Sequence, residues 1–433
     1  MSGPDPMTPG VVPGRYVTED VPGIGGAIKQ RPEDFIVDEQ PAFPPSGEGE
    51  HIFLYVEKTG LSTFELIDRV AKHFRVHRSR VGYAGLKDKP AITRQTLSVH
   101  VPGKRPEDFP QLETDQIKVQ WVDLHSSKLR RGQLAGNRFS IRIRDVGIQD
   151  ALPAKRVLER LAITGVPNRL GEQRFGMVQN NHLIGRALIL GRPHEALDLL
   201  LGTDPEMDDD GHADARALYR SQEYDAAIDA LPRGMRTERR ALKLLADGMA
   251  PDEVIDAMDP EVLSFYLSGF QSAIFNAMLD ERIESDRLDK LMVGDLAFVH
   301  RGRKTFIVTE EELRDSDALE RLDRFELCAS GPMWGPDMRR TQGEIARLEN
   351  DALHATGVIE ADLERIGALT SLTGSRRPYR VPVIAPEVEG GIDEYGAYVR
   401  VAFELPRGSF ATVVLREIMK PERARELRGS ETA

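Results

Sequence analysis

A single carboxylate set between two ammonium groups, Lys87-Asp88-Lys89, is the arrangement in this sequence best suited to nucleophilic chemistry. It stands in the stretch VGYAGLKDKPAITRQTLSVHV, residues 81–101. Cations nearby favour the anionic form of a carboxylate, and the anion is the form that attacks an electrophilic carbon. A K-D-K triplet alone reads more readily as a solvated surface turn. Its surroundings single it out: between Lys72 and Arg105 there are nine Lys or Arg residues, and Asp88 is the only acid. The chain as a whole carries a net charge of −12, so this basic stretch is a local feature.

The elements that must hold Asp88 follow from patterning. Gly82 and Gly85 suit a tight loop. Residues 93–101 alternate as a strand, with Leu97, Val99 and Val101 on one face. Residues 27–39 read as an extended segment interrupted at Pro32, and residues 51–58 as a strand buried on both faces. Ser62 and Glu65 form a capping box that opens a helix to about His73, with Phe64, Leu66, Ile67 and Val70 inward. Residues 117–124 give another strand. Residues 139–146 alternate Phe139, Ile141 and Ile143 against Ser140, Arg142 and Arg144, which predicts a core face and a basic face. A helix over 151–164 stops at Gly165.

Beyond residue 168 the pattern turns helical, over 181–201, 213–231, 236–246, 251–258 and 261–283. A short hairpin at 296–300 and 305–308 and a charged helix at 339–355 follow. Strands return at 379–385 and 397–405, before a last helix at 410–419. This is an α+β chain with a mostly antiparallel or mixed sheet, interrupted by a helix-rich insertion. The predicted division is a flexible lead-in at 1–20, one domain from 21–167 and 379–433, and an inserted domain at 168–378.

Composition sets further bounds. At 433 residues two cores are expected. No apolar run approaches the roughly 20 residues that cross a bilayer. The N-terminus lacks the basic start and apolar centre of a secretory signal. The lone cysteine, Cys328, excludes an internal disulfide and a multi-cysteine metal site. A soluble cytoplasmic monomer is the expectation, with no membrane partner and no metal. Charge is segregated: residues 126–144 hold six Lys or Arg and no acid, whereas residues 204–214 hold six acids and no Lys or Arg. Such clustering fits a polyanion bound on one face of an acidic protein.

Six blocks in order along the chain carry a resemblance. They are IKQRPEDF at 28–35, GEGEH at 47–51, AGLKDK with TRQ at 84–95, GQLAGNRF at 132–139, VPNRLGEQRFG at 166–176 and LPRGSFAT at 405–412. Together they resemble the TruD family of tRNA pseudouridine synthases. The resemblance implies a pseudouridine synthase catalytic domain interrupted by a family-specific TRUD domain. It implies tRNA as the partner, uridine 13 as the target and no cofactor. Asp88 then corresponds to the nucleophilic aspartate, Phe139 to an aromatic that packs on the target base, and Asn137 to a residue that helps place nucleophile and target.

Several residues have plainer readings beside these. Phe139 lies on a core face by its alternation, Asn137 suits a turn after Gly136, and Phe35 suits the core. Lys29 is favoured over Lys87 as the cation at Asp88, because adjacent residues on an extended segment point oppositely. Phe410 reads as structural, and His51 as a strand end. Arg78, Arg80, Arg130, Arg131, Arg138 and Arg142 are candidate phosphate contacts. Two other functions compete: a catalytically silent RNA-binding protein or tRNA chaperone on the same scaffold, and a hydrolase using Asp88. The hydrolase lacks a D-x-D-x-T arrangement or a second carboxylate nearby.

Overall fold

The computed structural model describes residues 6–8, 14–202 and 212–421. Most of the acidic run 204–214 and much of the N-terminal lead-in thus lie outside the described residues. The chain forms two compact units, Val17–Val166 with Val381–Ala433, and Met1–Tyr16 with Pro167–Arg380.

The first unit is built on a nine-stranded sheet. Its strands are β1 (Phe35–Pro41), β2 (His51–Thr59), β3 (Val81–Tyr83), β4 (Ile92–His100), β5 (Glu113–Thr114), β6 (Ile117–His125), β7 (Leu134–Arg144), β8 (Ile384–Asp393) and β9 (Gly396–Pro406). They lie in the order β8-β9-β7-β1-β4-β2-β6-β5, with β3 paired to β4. Only β1 and β4 run parallel; the other pairs are antiparallel. Three helices cover it: α1 (Thr63–His73), α2 (Ala151–Thr164) and α3 (Ala411–Met419).

Period-two burial sets the register. Phe139, Ile141 and Ile143 of β7 lie beside Phe403, Val401 and Val399 of β9, all at most 7% exposed. They pack with Val157, Leu158 and Leu161 of α2 and Val414 and Ile418 of α3. Each such side chain contributes roughly 1.5–3 kcal/mol of burial. Gly165, at φ +83, ends α2 in a backbone conformation that other residues resist. A second cluster joins Ile52, Leu54 and Val56 of β2 to Leu66, Ile67 and Val70 of α1. The Ser62–Glu65 capping box starts α1. Phe64 departs from its expected inward position: it is 42% exposed and meets Tyr83 edge-on.

Two further differences matter. Residues 17–20 belong to the packed unit: the Val17 and Thr18 amides donate to the Glu417 carboxylate, and the Thr18 hydroxyl donates to it as well. β8 is a strand that patterning misses, because its sequence IAPEVEGGID is acidic, glycine-rich and largely exposed.

The second unit contains a four-stranded antiparallel sheet, with Lys304–Ile307, Leu296–Val299, Leu327–Met333 and Ser375–Pro378 as successive neighbours. Its central helix is Pro260–Glu284, within one residue at each end of the apolar helix expected at 261–283. By length and composition it would cross a membrane, but 72% of its most apolar window is buried inside the unit, as in a core helix. The expected helices 181–201 and 213–231 are each two: Asn181–Ile189 with Pro193–Leu201, and Ala213–Arg220 with Tyr224–Ala230.

Candidate active site

One edge of β4 is shared by two strands. β1 pairs with Ile92–Arg94 and β3 with Leu97–Val99. In the gap between them the Thr96 amide donates to a side chain instead, the Glu39 carboxylate at 3.1 Å. The segment joining β3 to β4, residues 84–91, leaves and rejoins the sheet at this gap, and it carries Asp88. Gly82 is required at its entrance, where a Cβ would lie 2.3 Å from the Leu129 carbonyl oxygen.

The Asp88 side chain is 50% exposed, and its Oδ2 accepts from Lys29 Nζ at 2.5 Å. Lys29 also lies 4.4 Å from the centre of the Phe35 ring. Its backbone is left-handed, at φ +60, a conformation costing a non-glycine residue about 1–2 kcal/mol. It is held there from both sides: Ala27 bridges Arg144, and Phe35 begins β1. The strained turn is what carries the ammonium to the carboxylate.

The two lysines that flank Asp88 in sequence turn away from it. The Lys87 side chain is 4% exposed and donates to Glu39 Oε2 at 2.7 Å and Asn137 Oδ1 at 2.9 Å. Glu39 and Asn137 are directly opposed on β1 and β7, so Lys87 fills the space between their heads. Lys89 reaches Glu65 Oε1 at 2.8 Å. The expectation of a carboxylate bracketed by its own neighbours is therefore corrected. The bracket is built from elsewhere, because successive side chains on an extended chain diverge.

The loop is fastened to residues 58–65 at three successive positions. The Lys87 amide donates to Thr63 Oγ1 at 2.9 Å, the Asp88 carbonyl accepts from Lys58 Nζ at 2.9 Å, and Lys89 pairs with Glu65. Lys58 also donates to the Leu61 carbonyl at 2.5 Å and has no solvent exposure. Burial brings its ammonium down to about 8, against the opposing pull of Asp88. The bond from Lys89, together with the Ser62 amide, holds the Glu65 carboxyl down at about 2.

Phe35 and Phe139, 3% and 7% exposed, are members of the β7–β9 core, where Phe139 meets Phe403 at 5.6 Å. Of the candidate phosphate contacts, Arg80 and Arg130 are exposed with no carboxylate partner among the described residues. Arg78 is 3.6 Å from Asp68, and Arg131 donates to the Tyr83 hydroxyl. Arg138 pairs with Glu387 and Glu404, and Arg142 with Asp393. The expected bare basic face of β7 is thus a charge ladder, its acids supplied by β8 and β9.

The model of the family tRNA pseudouridine synthase D (TruD) matches residues 12–418. The chain belongs to the TruD family. It is 38% identical over 407 residues to the tRNA pseudouridine synthase D of Syntrophotalea carbinolica, covering 94% of this chain and 99% of that protein. With the Geobacter sulfurreducens protein of the same name it shares 39% over 409 residues, covering 94% and 97%. A crystal structure of a TruD protein from Methanosarcina mazei superposes with a TM-score of 0.81 at 27% identity, covering 94% of this chain and 96% of that one. The TruD family blocks at 28–35, 84–95 and 132–139 meet at the β4 gap, through Lys29, Asp88 and Asn137. Glu39, Lys58 and Thr63 also meet there, and patterning alone did not reveal them. Lys58 had one visible signal: it occupies the place of a fourth apolar residue after Ile52, Leu54 and Val56.

Proposed function

We propose that this chain converts uridine to pseudouridine in tRNA, with uridine 13 as the target and Asp88 as the nucleophile. The observation that carries this reading is the half-exposed Asp88 carboxylate on a fastened loop, with its Oδ2 held by Lys29. The reaction breaks the bond from C1′ to N1 and forms one from C1′ to C5 of the same base, while C5 gives up its proton and N1 takes one up. Atoms and electrons balance within the substrate, so an anionic carboxylate and a pocket for the flipped base suffice, without a cofactor.

In this reading Lys29 orients the carboxylate, and the Glu39–Lys87–Asn137 set keeps the floor of the gap fixed. Preorganised charge of this kind is effective because it needs no rearrangement during reaction. Asn137 holds Lys87 at this gap, whereas Phe35 and Phe139, 3% and 7% exposed, belong to the apolar core of the same sheet. Arg80 and Arg130 contribute phosphate contacts, and the tRNA substrate places the protein in the cytoplasm.

The test compares wild type with Asp88→Asn on an unmodified tRNA transcript. Wild type should form pseudouridine and the variant none, while both bind the RNA with similar affinity. Binding without product from wild type would favour the tRNA-chaperone reading. Equal product from both proteins would remove Asp88 from the chemistry.

A further inference from the structure

Lys58 is an exception within its own strand. Ile52, Leu54, Val56 and Lys58 form one face of β2 under α1, and all four are at most 2% exposed. The first three belong to the apolar cluster with Leu66, Ile67 and Val70. A fourth apolar residue would complete that face, whereas an ammonium buried there must give up its hydration. Core packing therefore gives no reason for an ammonium here.

What the ammonium does touch is specific. It donates to the Leu61 carbonyl at 2.5 Å and to the main-chain carbonyl of Asp88 itself at 2.9 Å. Lys29 holds the other end of the same residue, by its carboxylate. The two cations fix Asp88 at backbone and head, which leaves its side chain little freedom to rotate. On either side of Asp88, the bonds from the Lys87 amide to Thr63 and from Lys89 to Glu65 stop the loop from sliding along residues 58–65.

We infer that Lys58 is a positioning residue for the nucleophile: it fixes the backbone of Asp88 and supplies positive charge beneath its carboxylate. This rests on the reading of Asp88 as the nucleophile. Lys58 touches neither base nor sugar, so its removal should slow the bond-making step and leave RNA affinity unchanged. A 1 Å misplacement of a reacting group can cost about 100-fold in rate.

The experiment measures single-turnover pseudouridine formation and tRNA affinity for wild type, Lys58→Met and Asp88→Asn. Lys58→Met should bind tRNA within about twofold of wild type and react roughly 30- to 100-fold more slowly. A rate equal to wild type in a folded Lys58→Met, with Asp88→Asn inactive, would overturn the inference and leave the nucleophile standing. Activity in Asp88→Asn would instead overturn the nucleophile.

A second measurement can be made on the wild type. The charged groups facing Lys58 are Asp88 and Lys87 of the loop and Glu65 of α1, while β4 presents the neutral Thr93 and Gln95. With its ammonium brought down to about 8, Lys58 loses its positive charge as pH rises past that value. The wild-type rate should then fall above about pH 8, and a folded Lys58→Met should lack that step. A wild-type profile flat through pH 9 would count against the charge and sink the inference.

Discussion

The sheet of the first unit handles positive charge in two ways, and the contrast explains where its chemistry lies. On β7, β8 and β9 every cation meets its match. Arg138 pairs with Glu387 and Glu404, Arg142 with Asp393, Arg144 with Asp34 and Asp393, and Arg400 with Glu387 and Glu389. Around the β4 gap, two of the four lysines act on one residue, Lys29 on the Asp88 carboxylate and Lys58 on its carbonyl, while Lys87 and Lys89 anchor the loop that bears it. The ladder neutralises charge to hold strands together. The gap concentrates charge to hold one carboxylate in a half-exposed position. Similar residues therefore serve stability in one region and reactivity in the other.

The contrast is sharpest at Arg144. Its side chain is 3% exposed, it bonds the fully buried Asp34 through both Nε and Nη2, and the two aspartates raise its already high pKa further. Arg144→Met would strand a buried carboxylate, which costs about 3–5 kcal/mol. The urea midpoint should fall accordingly, with the activity of the remaining folded protein unchanged. A loss of turnover in fully folded Arg144→Met would erase the proposed distinction between the regions.

Lys29→Met should behave the other way round. Its pair with Asp88 is half open to water, and such pairs contribute about 0–1 kcal/mol to stability. The melting curve should scarcely move. Turnover should fall about 100-fold, the scale for removing one preorganised group from a developing charge. Normal turnover in the variant would leave Asp88 without its orienting cation.

How much of this was legible in the sequence follows from the same contrast. Asp88 stood out because its neighbourhood along the chain contains no other acid. Lys29 followed from the opposed directions of adjacent side chains and from the family resemblance. The strands with clean alternation, such as residues 139–143, were readable because one face is core. β8 was not, because Glu387, Glu389, Gly390 and Gly391 give it neither apolar alternation nor β-branched bulk. That omission made β7 look bare: the acids that neutralise its arginines lie about 250 residues away in the chain. Glu39 was hidden for a related reason. Its partners, the Thr96 amide and Lys87, exist only once β1 parts from β4.

Salt dependence separates the two sets of arginines by a smaller effect. A cation that neutralises a phosphate on binding contributes about one unit to the slope of log affinity against log salt. Arg80→Ala and Arg130→Ala should each reduce the slope for tRNA by roughly that amount. Arg138→Ala should change it little, because its guanidinium is already held by two carboxylates. Equal slopes for all three variants would mean that the ladder opens to RNA.

The smallest expected effect concerns acid. Glu65 on the loop side and Asp393 in the ladder are both held down at about 2, the first chiefly by Lys89 and the second chiefly by Arg144. A carboxyl lowered in the folded state stabilises it above the ordinary titration range, and that contribution is lost as pH falls toward the lowered value. For Glu65 the window runs from 4.5 down to about 2. Glu65→Gln should therefore melt slightly below wild type at pH 7, and the gap should close across that window. Because Glu65 also anchors Lys89, the variant should lose some turnover at pH 7, whereas Asp393→Asn should lose stability alone. If Asp393→Asn lowers turnover as much as Glu65→Gln does, the ladder and the gap are coupled, and the sheet works as one electrostatic unit.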